Sequence, residues 1–482
     1  MANPLPIGHR LNLGIRWMAF RGFADTGWLR LPAVTILLGS NGSGKSSLIA
    51  PLLLLKQSLA SRTGSTALLT RGEYVNVGAF RDFVHDHDVG RAVNFSLRWH
   101  THVDAPTDAV GVYAPGGVEL EFIEGDSLDQ VKLSCFRIED IYGRRMLTRV
   151  LQDDGQYSLR MAPVPKCMRR PGGSRGRSEA VASQRTAMQR DSPVDYLFTS
   201  TRIRNAAFRP REEEDPPTFR AALEDDRTRV YVQMVDYVQR EFDSITDSLY
   251  FLGPLREAPK RVYELSGEMP PDVGTRGEHA PEVLYRWSRA GAARLEEVQS
   301  WLSHFGFPQK VHFEAVGDEG FALRFGTRRR ASTLADMGFG LSQVLPLIVQ
   351  GLYAAPGSWL VVEQPEIHLN PRLQAGLADL VVALNERSVG LILETHSEHL
   401  LLRLRRLLAQ GKIDNEDFGL YFVERDGNAS TVREVAIDQS GYINPETWPA
   451  DFFDDSLRES LALAQAQAGL RDASAGDSRN GN

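Results

Sequence analysis

The feature that most constrains this fold is a short loop, Gly39-Ser40-Asn41-Gly42-Ser43-Gly44-Lys45-Ser46. It matches the phosphate-binding pattern G-x-x-x-x-G-K-S/T. The apolar run from Val34 to Leu38 precedes it and predicts a buried strand, and Ser47 to Ala50 opens a predicted helix. Because the motif requires a strand before it and a helix after it, the sequence predicts a P-loop at this position.

The residue types of this loop suit a polyphosphate. Glycines allow backbone N–H groups to turn inward, and the N-terminus of the following helix adds partial positive charge. Lys45 is expected to reach the terminal phosphates and Ser46 to bind Mg²⁺. A Gly/Ser-rich turn that matches by chance is the alternative. The predicted ligand is ATP or GTP, and the predicted binding residues are Gly39, Ser40, Asn41, Gly42, Ser43, Gly44, Lys45, Ser46 and Ser47.

Composition bounds the remaining predictions. Of 482 residues, 42% are apolar and 24% charged, as in an ordinary globular protein with room for more than one domain. Cys135 and Cys167 form neither a metal-ligand cluster nor a disulfide framework, which suits a reducing cytosol. With no membrane-length apolar run and no secretory signal, the predicted location is cytoplasmic. The net charge of −7 gives no overall attraction to nucleic acid.

Three downstream segments also combine apolar runs with polar ends. Trp359 to Glu363 predicts a strand that ends in a carboxylate, which is the Walker B pattern for Mg²⁺. Leu391 to Ser397 predicts another strand, whose Thr395 and His396 are expected near a terminal phosphate or the attacking water. Before Walker B, a glycine- and serine-containing stretch opens an apolar helix and predicts an anion-binding helix start, with a plain capping turn as the alternative. Its residues are Gly338, Gly340, Ser342 and Gln343.

Other regions predict the scaffold around these motifs. Residues 92–102, 118–123 and 131–138 alternate as antiparallel strands, and helices are expected over 217–250 and 281–305. Residues 421–423 and 431–437 are expected to be closing strands of the sheet that carries the P-loop.

Two short segments have two interpretations each. Phe20 and Arg21 fit either stacking on an adenine with a phosphate contact or a packed turn, and the packed turn is favoured. Arg169 to Arg177 lies in a polar stretch that fits either a solvated linker, which is favoured, or a contact with a phosphate backbone.

The order of the motifs separates this chain from AAA+ and RecA-like motors, in which Walker B soon follows the P-loop. Here Glu363 lies far downstream of Lys45, after the glycine/serine helix start and before the strand that leads to His396. This order resembles that of ABC-type ATPases, in the branch of SMC, RecF and OLD proteins. The strand Val-Val-Glu-Gln-Pro-Glu-Ile-His-Leu-Asn-Pro and the later Glu-Thr-His-Ser resemble the OLD-like AAA ATPases of prokaryotes.

More segments resemble a subgroup of these ATPases whose C-terminal segment was long a domain of unknown function. The resemblance covers most of the chain and is weakest over 153–216. The segments that carry it are Ser46-Ser47, Leu53 to Gln57, Asn76 to His85, Gly253 to Arg256, Trp448-Pro449 and Asp451 to Phe453.

The resemblance implies an α/β fold, an ABC-type P-loop ATPase head with an antiparallel β subdomain and a helical insertion. It implies the following division of the chain: an N-terminal ATPase lobe with the P-loop (1–150), a basic flexible insertion (151–216), a helical subdomain (217–305), a C-terminal ATPase lobe with signature, Walker B and switch histidine (306–440), and a C-terminal segment with a disordered tail (441–482).

Roles for the motif residues follow from the same resemblance. ABC-type ATPases usually hydrolyse ATP in a head-to-head pair, where the signature loop of one subunit completes the P-loop site of the other. Lys45 and Ser46 would hold the phosphates and Mg²⁺, Glu363 would be the Walker B acid and a second Mg²⁺ ligand, and His396 would be the switch histidine. The signature that acts in trans would comprise Gly338, Gly340, Ser342 and Gln343.

One residue departs from the family pattern. The residue after the Walker B acid is usually a Glu that positions the attacking water, but here it is Gln364, whose amide cannot act as a base. Either Glu366 does this work, or hydrolysis is slow and the ATP-bound pair is long-lived. Glu366 is slightly favoured, so the predicted catalytic residues are Glu363, Gln364, Glu366 and His396.

The resemblance supports two hypotheses about function. The first is an ATPase that acts as a nucleotide-dependent switch or sensor, as a homodimer or higher homo-oligomer, in a prokaryotic anti-phage defence or DNA-processing system with a separate effector, commonly a nuclease. The second is a DNA-binding repair ATPase of the RecF or SMC kind, with Arg169 to Arg177 and Arg328 to Arg330 on phosphates. A nuclease in its own right is disfavoured because no strand leads into an Asp-x-Asp metal set. A transporter subunit is disfavoured because no close Leu-Ser-Gly-Gly-Gln is present.

Overall fold

The computed structural model describes residues 12–61, 66–99, 115–128, 130–155, 157–163, 226–291, 293–327 and 329–448. The basic stretch from Arg169 to Arg177, Arg328 and the C-terminal tail from residue 449 lie outside these ranges. Within them, no helix is both long and apolar enough to cross a bilayer.

Strands dominate the chain before residue 161, whereas helices and strands alternate after residue 226. The strands are β1 (Asn12–Phe20), β2 (Phe23–Asp25), β3 (Leu29–Pro32), β4 (Val34–Gly39), β5 (Val93–Trp99), β6 (Pro115–Glu124), β7 (Val131–Asp140), β8 (Arg145–Leu151), β9 (Tyr157–Met161), β10 (Leu249–Leu252), β11 (Tyr263–Glu264), β12 (Val311–Val316), β13 (Gly320–Thr327), β14 (Arg330–Thr333), β15 (Trp359–Glu363), β16 (Gly390–Glu394), β17 (Phe418–Asp426) and β18 (Ala429–Glu434). The helices are α1 (Lys45–Ala60), α2 (Phe80–Phe83), α3 (Asp226–Asp247), α4 (Ala280–Ala290), α5 (Ala293–His304), α6 (Phe339–Tyr353), α7 (Pro371–Glu386) and α8 (Glu398–Ala409).

A six-stranded sheet, here called the central sheet, holds the motif-bearing strands together. Its order is β10-β15-β16-β4-β17-β18; the first five strands run parallel and β18 runs antiparallel to β17. Because parallel strands end at the same edge, the P-loop, the end of the Walker B strand β15 and the end of β16 all meet there. The expected closing strands are present as β17 and β18.

The P-loop strand is buried on both faces. All residues of β4 are buried. Val34, Ile36 and Leu38 belong to one hydrophobic core, and Leu37 belongs to the other. This alternation follows from the two-residue period of a strand, and an apolar residue at every position is what a parallel strand covered on both sides requires.

An eight-stranded antiparallel sheet shares one of these cores. Its order is β2-β1-β5-β6-β7-β8-β9, with β3 paired to β1. Trp17 and Phe95 pack edge to face at 5.4 Å, and the indole N–H of Trp17 donates to the carbonyl oxygen of Leu48 in α1 (2.8 Å). The helix α3 packs on α1 and β6. The predicted antiparallel β subdomain is therefore confirmed.

The other core lies on the opposite face of the central sheet. It contains buried residues of α4, α5, α6, α7 and α8 together with the small sheet β11-β13-β12, to which β14 is paired through β13. The sequence between the P-loop and Walker B thus supplies layers for both faces of the central sheet.

Two predicted segments differ from the structure. β9 lies inside 151–216, which the sequence predicts as a flexible insertion; Tyr157 is 1% exposed and its hydroxyl donates to the carbonyl oxygen of Leu133 (2.5 Å). The predicted helical subdomain, 217–305, contains β10, which pairs with β15 in the central sheet. Its short aromatic run continues directly from a helical pattern, so periodicity alone assigned the start of the strand to the helix.

Candidate nucleotide-binding site

The P-loop begins with a backbone turn that only glycine accepts. Gly39 has a φ of 147°, and a Cβ atom there would lie 2.3 Å from the carbonyl oxygen of Val423 in β17. Gly44, the residue before α1, has a φ of 115°. Both values favour glycine, since a side chain would strain the backbone. The loop therefore has the sharp course that a cradle for phosphates needs.

Lys45 is folded into this loop. It is 3% exposed, and its Nζ donates to the carbonyl oxygens of Gly39 (3.0 Å) and Ser40 (2.8 Å). The same Nζ lies 3.8 Å from Oε1 of Glu394. Burial lowers the pKa of Lys45, while the nearby carboxylates act in the opposite direction. These carbonyl contacts are ones that phosphate oxygens can replace.

Two carboxylates stand side by side next to Ser46. The strand register pairs Glu363 at the end of β15 with Glu394 at the end of β16. The Ser46 hydroxyl donates to Oε2 of Glu394 (2.7 Å). Burial, and then the charge of Glu394, raise the pKa of Glu363 to about 7. Burial also raises the pKa of Glu394.

These groups fit a magnesium ion bound together with a nucleotide. The described residues contain no group of three or more His, Cys, Asp or Glu side chains that could hold a metal by themselves. Mg²⁺ usually takes one or two carboxylates, and oxygens of a phosphate and water supply the remaining ligands. Glu363, Glu394 and the Ser46 hydroxyl provide this kind of partial set, and the two neighbouring acids would be stabilised in their charged form by a cation between them.

Glu394 is a site residue that the sequence analysis missed. The signal was present, because Leu391 to Glu394 ends in an acid just as Trp359 to Glu363 does. The pairing of β15 with β16 is what brings the two acids together.

Glu366 connects the Walker B loop to the end of β16. One carboxylate oxygen, Oε2, accepts a hydrogen bond from the Thr395 hydroxyl (2.8 Å), and Oε1 accepts one from the backbone N–H of His396 (2.7 Å). Burial raises the pKa of Glu366, and these hydrogen bonds counteract part of that rise. The side chain therefore fixes the backbone that leads into His396.

Gln364 lies at a strained turn directly after β15. Its φ is 46°, in the left-handed region, and its N–H donates to the carbonyl oxygen of Glu394 (2.7 Å). A non-glycine residue in this region costs about 1–3 kcal/mol and is held there by its surroundings. The hydrogen bond to β16 supplies part of that constraint.

His396 has an unused nitrogen near the P-loop. Its Nε2 is buried and has no hydrogen-bond partner among the described residues. Burial and the charge of Lys45 lower the pKa of His396, so the ring is neutral at physiological pH. A neutral ring can donate to a phosphate oxygen or accept from water, depending on its tautomer.

The predicted signature residues form the start of α6, away from the P-loop of the same chain. The helix begins at Phe339 after Gly338, whose φ is 87°. Ser342 is buried and its hydroxyl donates to the carbonyl oxygen of Phe339 (2.8 Å). Phe339, Ser342 and Gln343 line a cavity with residues 254–259 and 367–368, and no P-loop residue lines it. Gly340, one residue into the helix, packs near Leu373.

The early aromatic and arginine take the packed arrangement. Phe20 is fully buried and contacts Phe83 and Phe95, so it cannot stack on a base. Arg21 Nη1 donates to the Ser47 hydroxyl (3.3 Å), which places this guanidinium beside the first turn of α1.

The central sheet, the P-loop and the paired strand-end acids define the chain as an α/β protein with a P-loop at the edge of a mostly parallel sheet and an antiparallel β subdomain. Residues 202–403 match a family model described as "AAA domain, putative AbiEii toxin, Type IV TA system". Residues 413–463 match a model described as "Protein of unknown function (DUF3696)". A search of curated proteins found no match.

Solved structures with some likeness to this chain include SMC head domains. The head domain from Thermotoga maritima is 11% identical, with 88% of this chain and 98% of that chain covered and a TM-score of 0.38. A head domain from Pyrococcus furiosus, bound to the C-terminal domain of ScpA, is 11% identical, with 88% and 96% covered and a TM-score of 0.36. One from Pyrococcus yayanosii is 10% identical, with 89% and 97% covered and a TM-score of 0.36.

Proposed function

We propose that this chain binds and hydrolyses ATP with Mg²⁺, and that ATP joins two copies into a switch that acts on a separate effector protein. One observation carries the nucleotide part: the half-buried Glu363 and the buried Glu394 lie side by side next to Ser46, at the edge of the sheet where the P-loop begins. Such an arrangement is costly alone and is stabilised by a cation that a triphosphate also binds.

The P-loop residues bind and orient the nucleotide in this proposal. Backbone N–H groups of Gly39 to Ser46 surround the phosphates, and Lys45 exchanges its carbonyl contacts for phosphate oxygens. Ser46, Glu363 and Glu394 would hold Mg²⁺. When bound, this ion neutralises charge on the phosphates.

Glu366 and His396 are the residues that we assign to the attack of water on the terminal phosphate. Gln364 cannot remove a proton, so we assign the general-base role to Glu366, with slow turnover as the alternative. The Glu366 carboxylate accepts hydrogen bonds from the Thr395 hydroxyl and the His396 N–H. Its position therefore depends on the residues that follow β16. The buried, unpartnered Nε2 of His396 is assigned to the terminal phosphate.

Pairing of two copies is supported by the start of α6. Phe339 is 70% exposed although it is a large apolar residue, and the cavity beside it contains no residue of its own P-loop. The exposed Phe339 and this open cavity are both explained if the signature completes the nucleotide site of a second copy. The signature residues are Gly338, Gly340, Ser342 and Gln343. Larger homo-oligomers built from such pairs are compatible with this arrangement.

The proposed setting is prokaryotic defence or DNA processing, in the cytoplasm, with a separate effector such as a nuclease. The support is the match of 202–403 to an AAA family whose description names an AbiEii toxin and a type IV TA system. A switch needs a protein to act on, and the effector is that protein in this proposal.

The test compares the wild type with Lys45→Ala and, as a matched control, the exposed Lys412→Ala. Loss of the charged contacts of Lys45 should weaken binding of a fluorescent ATP analogue on the order of a hundredfold, ~3 kcal/mol. It should also abolish the rise in mass that Mg²⁺-ATP produces, measured by light scattering. Equal ATP affinity in the wild type and Lys45→Ala would refute the nucleotide site, and Lys412→Ala should match the wild type.

A further inference from the structure

Arg256 is a buried arginine that the described structure leaves unpaired. It follows β10 in the loop that begins with Gly253 and Pro254, and only 9% of it is exposed. Its Nε and Nη1 are buried and have no hydrogen-bond partner among the described residues. Buried donors of a charged group are costly when unpaired, so such a group is expected to meet an anion at some stage of function.

The carboxylate that acts on Arg256 is Glu363. Burial lowers the pKa of Arg256 to about 10, and the charge of Glu363 opposes this decrease, so the guanidinium still carries its proton at neutral pH. Glu363 does not accept a hydrogen bond from Nε or Nη1. Since Glu363 is also assigned to Mg²⁺, Arg256 remains available for another anion.

The cavity beside Arg256 has the features of a phosphate site. Arg256 lines it together with the start of α6, where Ser342 and Gln343 lie, and with His368. The N-terminus of a helix adds backbone N–H groups and partial positive charge. A guanidinium at a helix N-terminus is well suited to a phosphate, because it offers two parallel donors.

The strand order places this cavity away from the P-loop of the same chain. β10 and β4 are separated by β15 and β16 in the central sheet. Adjacent strands lie about 4.8 Å apart, so the two strands are roughly 14 Å apart. Glu363 ends a strand between them, and the phosphates held at β4 therefore lie on its other side.

The rim of the cavity favours a protein partner that brings the phosphate. Leu255 and Phe339 both line the cavity, and each is 70% exposed. Large exposed apolar side chains around an unpaired cation favour a partner protein whose surface covers them and supplies an anion. A second copy with nucleotide in its P-loop offers both.

We infer that Arg256 binds the terminal phosphate of the nucleotide held by a second copy of this chain, next to the signature residues Ser342 and Gln343. This rests on the proposed ATP-dependent pairing and adds a residue to the site formed between the two copies. Arg256 then discriminates ATP from ADP at the pairing step, because ADP lacks the phosphate that it binds.

The first experiment separates nucleotide binding from pairing. Arg256→Gln should bind a fluorescent ATP analogue within about twofold of the wild type, because its own P-loop is intact. Pairing with Mg²⁺-ATP, measured by light scattering over a dilution series, should weaken about thirtyfold or more, as expected when one partner of a buried charged contact is removed. Arg387→Gln, which loses an exposed contact with Glu297, is the control and should pair normally.

The outcomes distinguish this inference from the proposed function. If the wild type binds ATP but does not pair, the proposed switch and the role of Arg256 both fail. If the wild type and Arg256→Gln pair equally well, only the role of Arg256 fails.

A mixing experiment decides which copy holds the phosphate. Lys45→Ala and Arg256→Gln are each expected to be inactive alone. When mixed, a pair with one copy of each keeps one complete site if Arg256 acts on the partner's nucleotide, so roughly a quarter of wild-type turnover and a measurable population of pairs should return. If Arg256 acted on the nucleotide of its own chain, no mixed pair would hold a complete site, and an absence of recovery would overturn the inference.

A stability measurement separates a binding role from a structural one. Because the guanidinium is unpaired, Arg256→Met should keep or raise the midpoint of thermal unfolding in the absence of nucleotide. A decrease of more than about 4 °C would assign Arg256 to the support of the fold and overturn the inference. Arg256→Lys, which keeps the charge but loses the paired donors, should recover part of the pairing.

Discussion

Charged side chains are arranged differently in the two large sheets. The antiparallel sheet carries close ion pairs: Nη2 of Arg98 lies 2.9 Å from Oε2 of Glu139, and Nζ of Lys132 lies 2.5 Å from Oδ1 of Asp126. At the P-loop edge of the central sheet, the charges of Glu394, Glu366 and Glu363 act on Lys45, whose amine hydrogen-bonds to backbone carbonyl oxygens. The charges of these two pairs are balanced without a ligand. The proposed Mg²⁺ and nucleotide would balance the charges of the second set.

Under the proposed function, this difference separates residues that maintain the fold from residues that bind a ligand. An exposed ion pair adds little stability, because water already solvates both partners. Buried and unpaired groups reduce stability, and they persist where binding recovers the lost free energy. The contrast predicts opposite outcomes when a carboxylate of each sheet is neutralised.

The largest expected effect concerns Glu363. Its pKa in the ligand-free fold is about 7, against an ordinary value of 4.5. Between these two pH values the folded state keeps a proton that the unfolded state releases, so stability from this group falls as the pH rises through that window. Neutralising Glu363 should therefore increase the free energy of unfolding above pH 7, by up to about 3 kcal/mol.

Urea unfolding of the wild type and Glu363→Gln, with EDTA and no nucleotide, measures this effect. The variant should be the more stable protein at pH 8, and the two should converge near pH 4.5. Parallel pH profiles for the two proteins would show that Glu363 does not destabilise the ligand-free fold. The proposed difference between the two sheets would then be wrong.

The next effect concerns Glu366. Glu366→Gln should lower ATP turnover by roughly tenfold or more, the low end of a general-base contribution, while ATP affinity stays unchanged. Steady-state turnover and fluorescence titration measure the two quantities. The control is Glu386→Gln, an exposed acid at the end of α7. Unchanged turnover in Glu366→Gln would favour a site that holds ATP for long periods.

The smallest effect belongs to the antiparallel sheet. Glu139→Gln removes the partner of Arg98, whose guanidinium also lies 3.8 Å from the ring centre of Trp28 and keeps that contact. The loss should be below about 1 kcal/mol in urea unfolding, with no change in ATP affinity. A larger loss would mean that this pair supports the fold more than its partial exposure suggests.

Local patterns were enough to predict much of the fold and part of the site. Each of these patterns is contained in a short segment: the run from Val34 to Leu38, the glycines after it, and the apolar run before Glu363. The structure has strands at both apolar runs. The antiparallel strands were predictable for the same reason, since alternation of apolar residues is also local.

Relations across the sheet were not predictable from single segments. Glu394 meets Glu363 only because β15 and β16 pair in one register, and Glu366 meets Thr395 through the same pairing. Arg256 could be noticed in the sequence, but its burial without partners depends on how β10 joins the central sheet. Such facts depend on tertiary contacts, which residue patterns alone do not encode.

The position of β4 between β16 and β17 also governs when the site can exist during protein synthesis. Ser46 and Glu394 hydrogen-bond although they are 348 residues apart. A ribosome therefore makes the P-loop long before it makes β16 and β17, the strands on both sides of β4. A nascent chain that stops before β16 lacks both neighbours of β4, so nucleotide binding reports that synthesis has passed these strands.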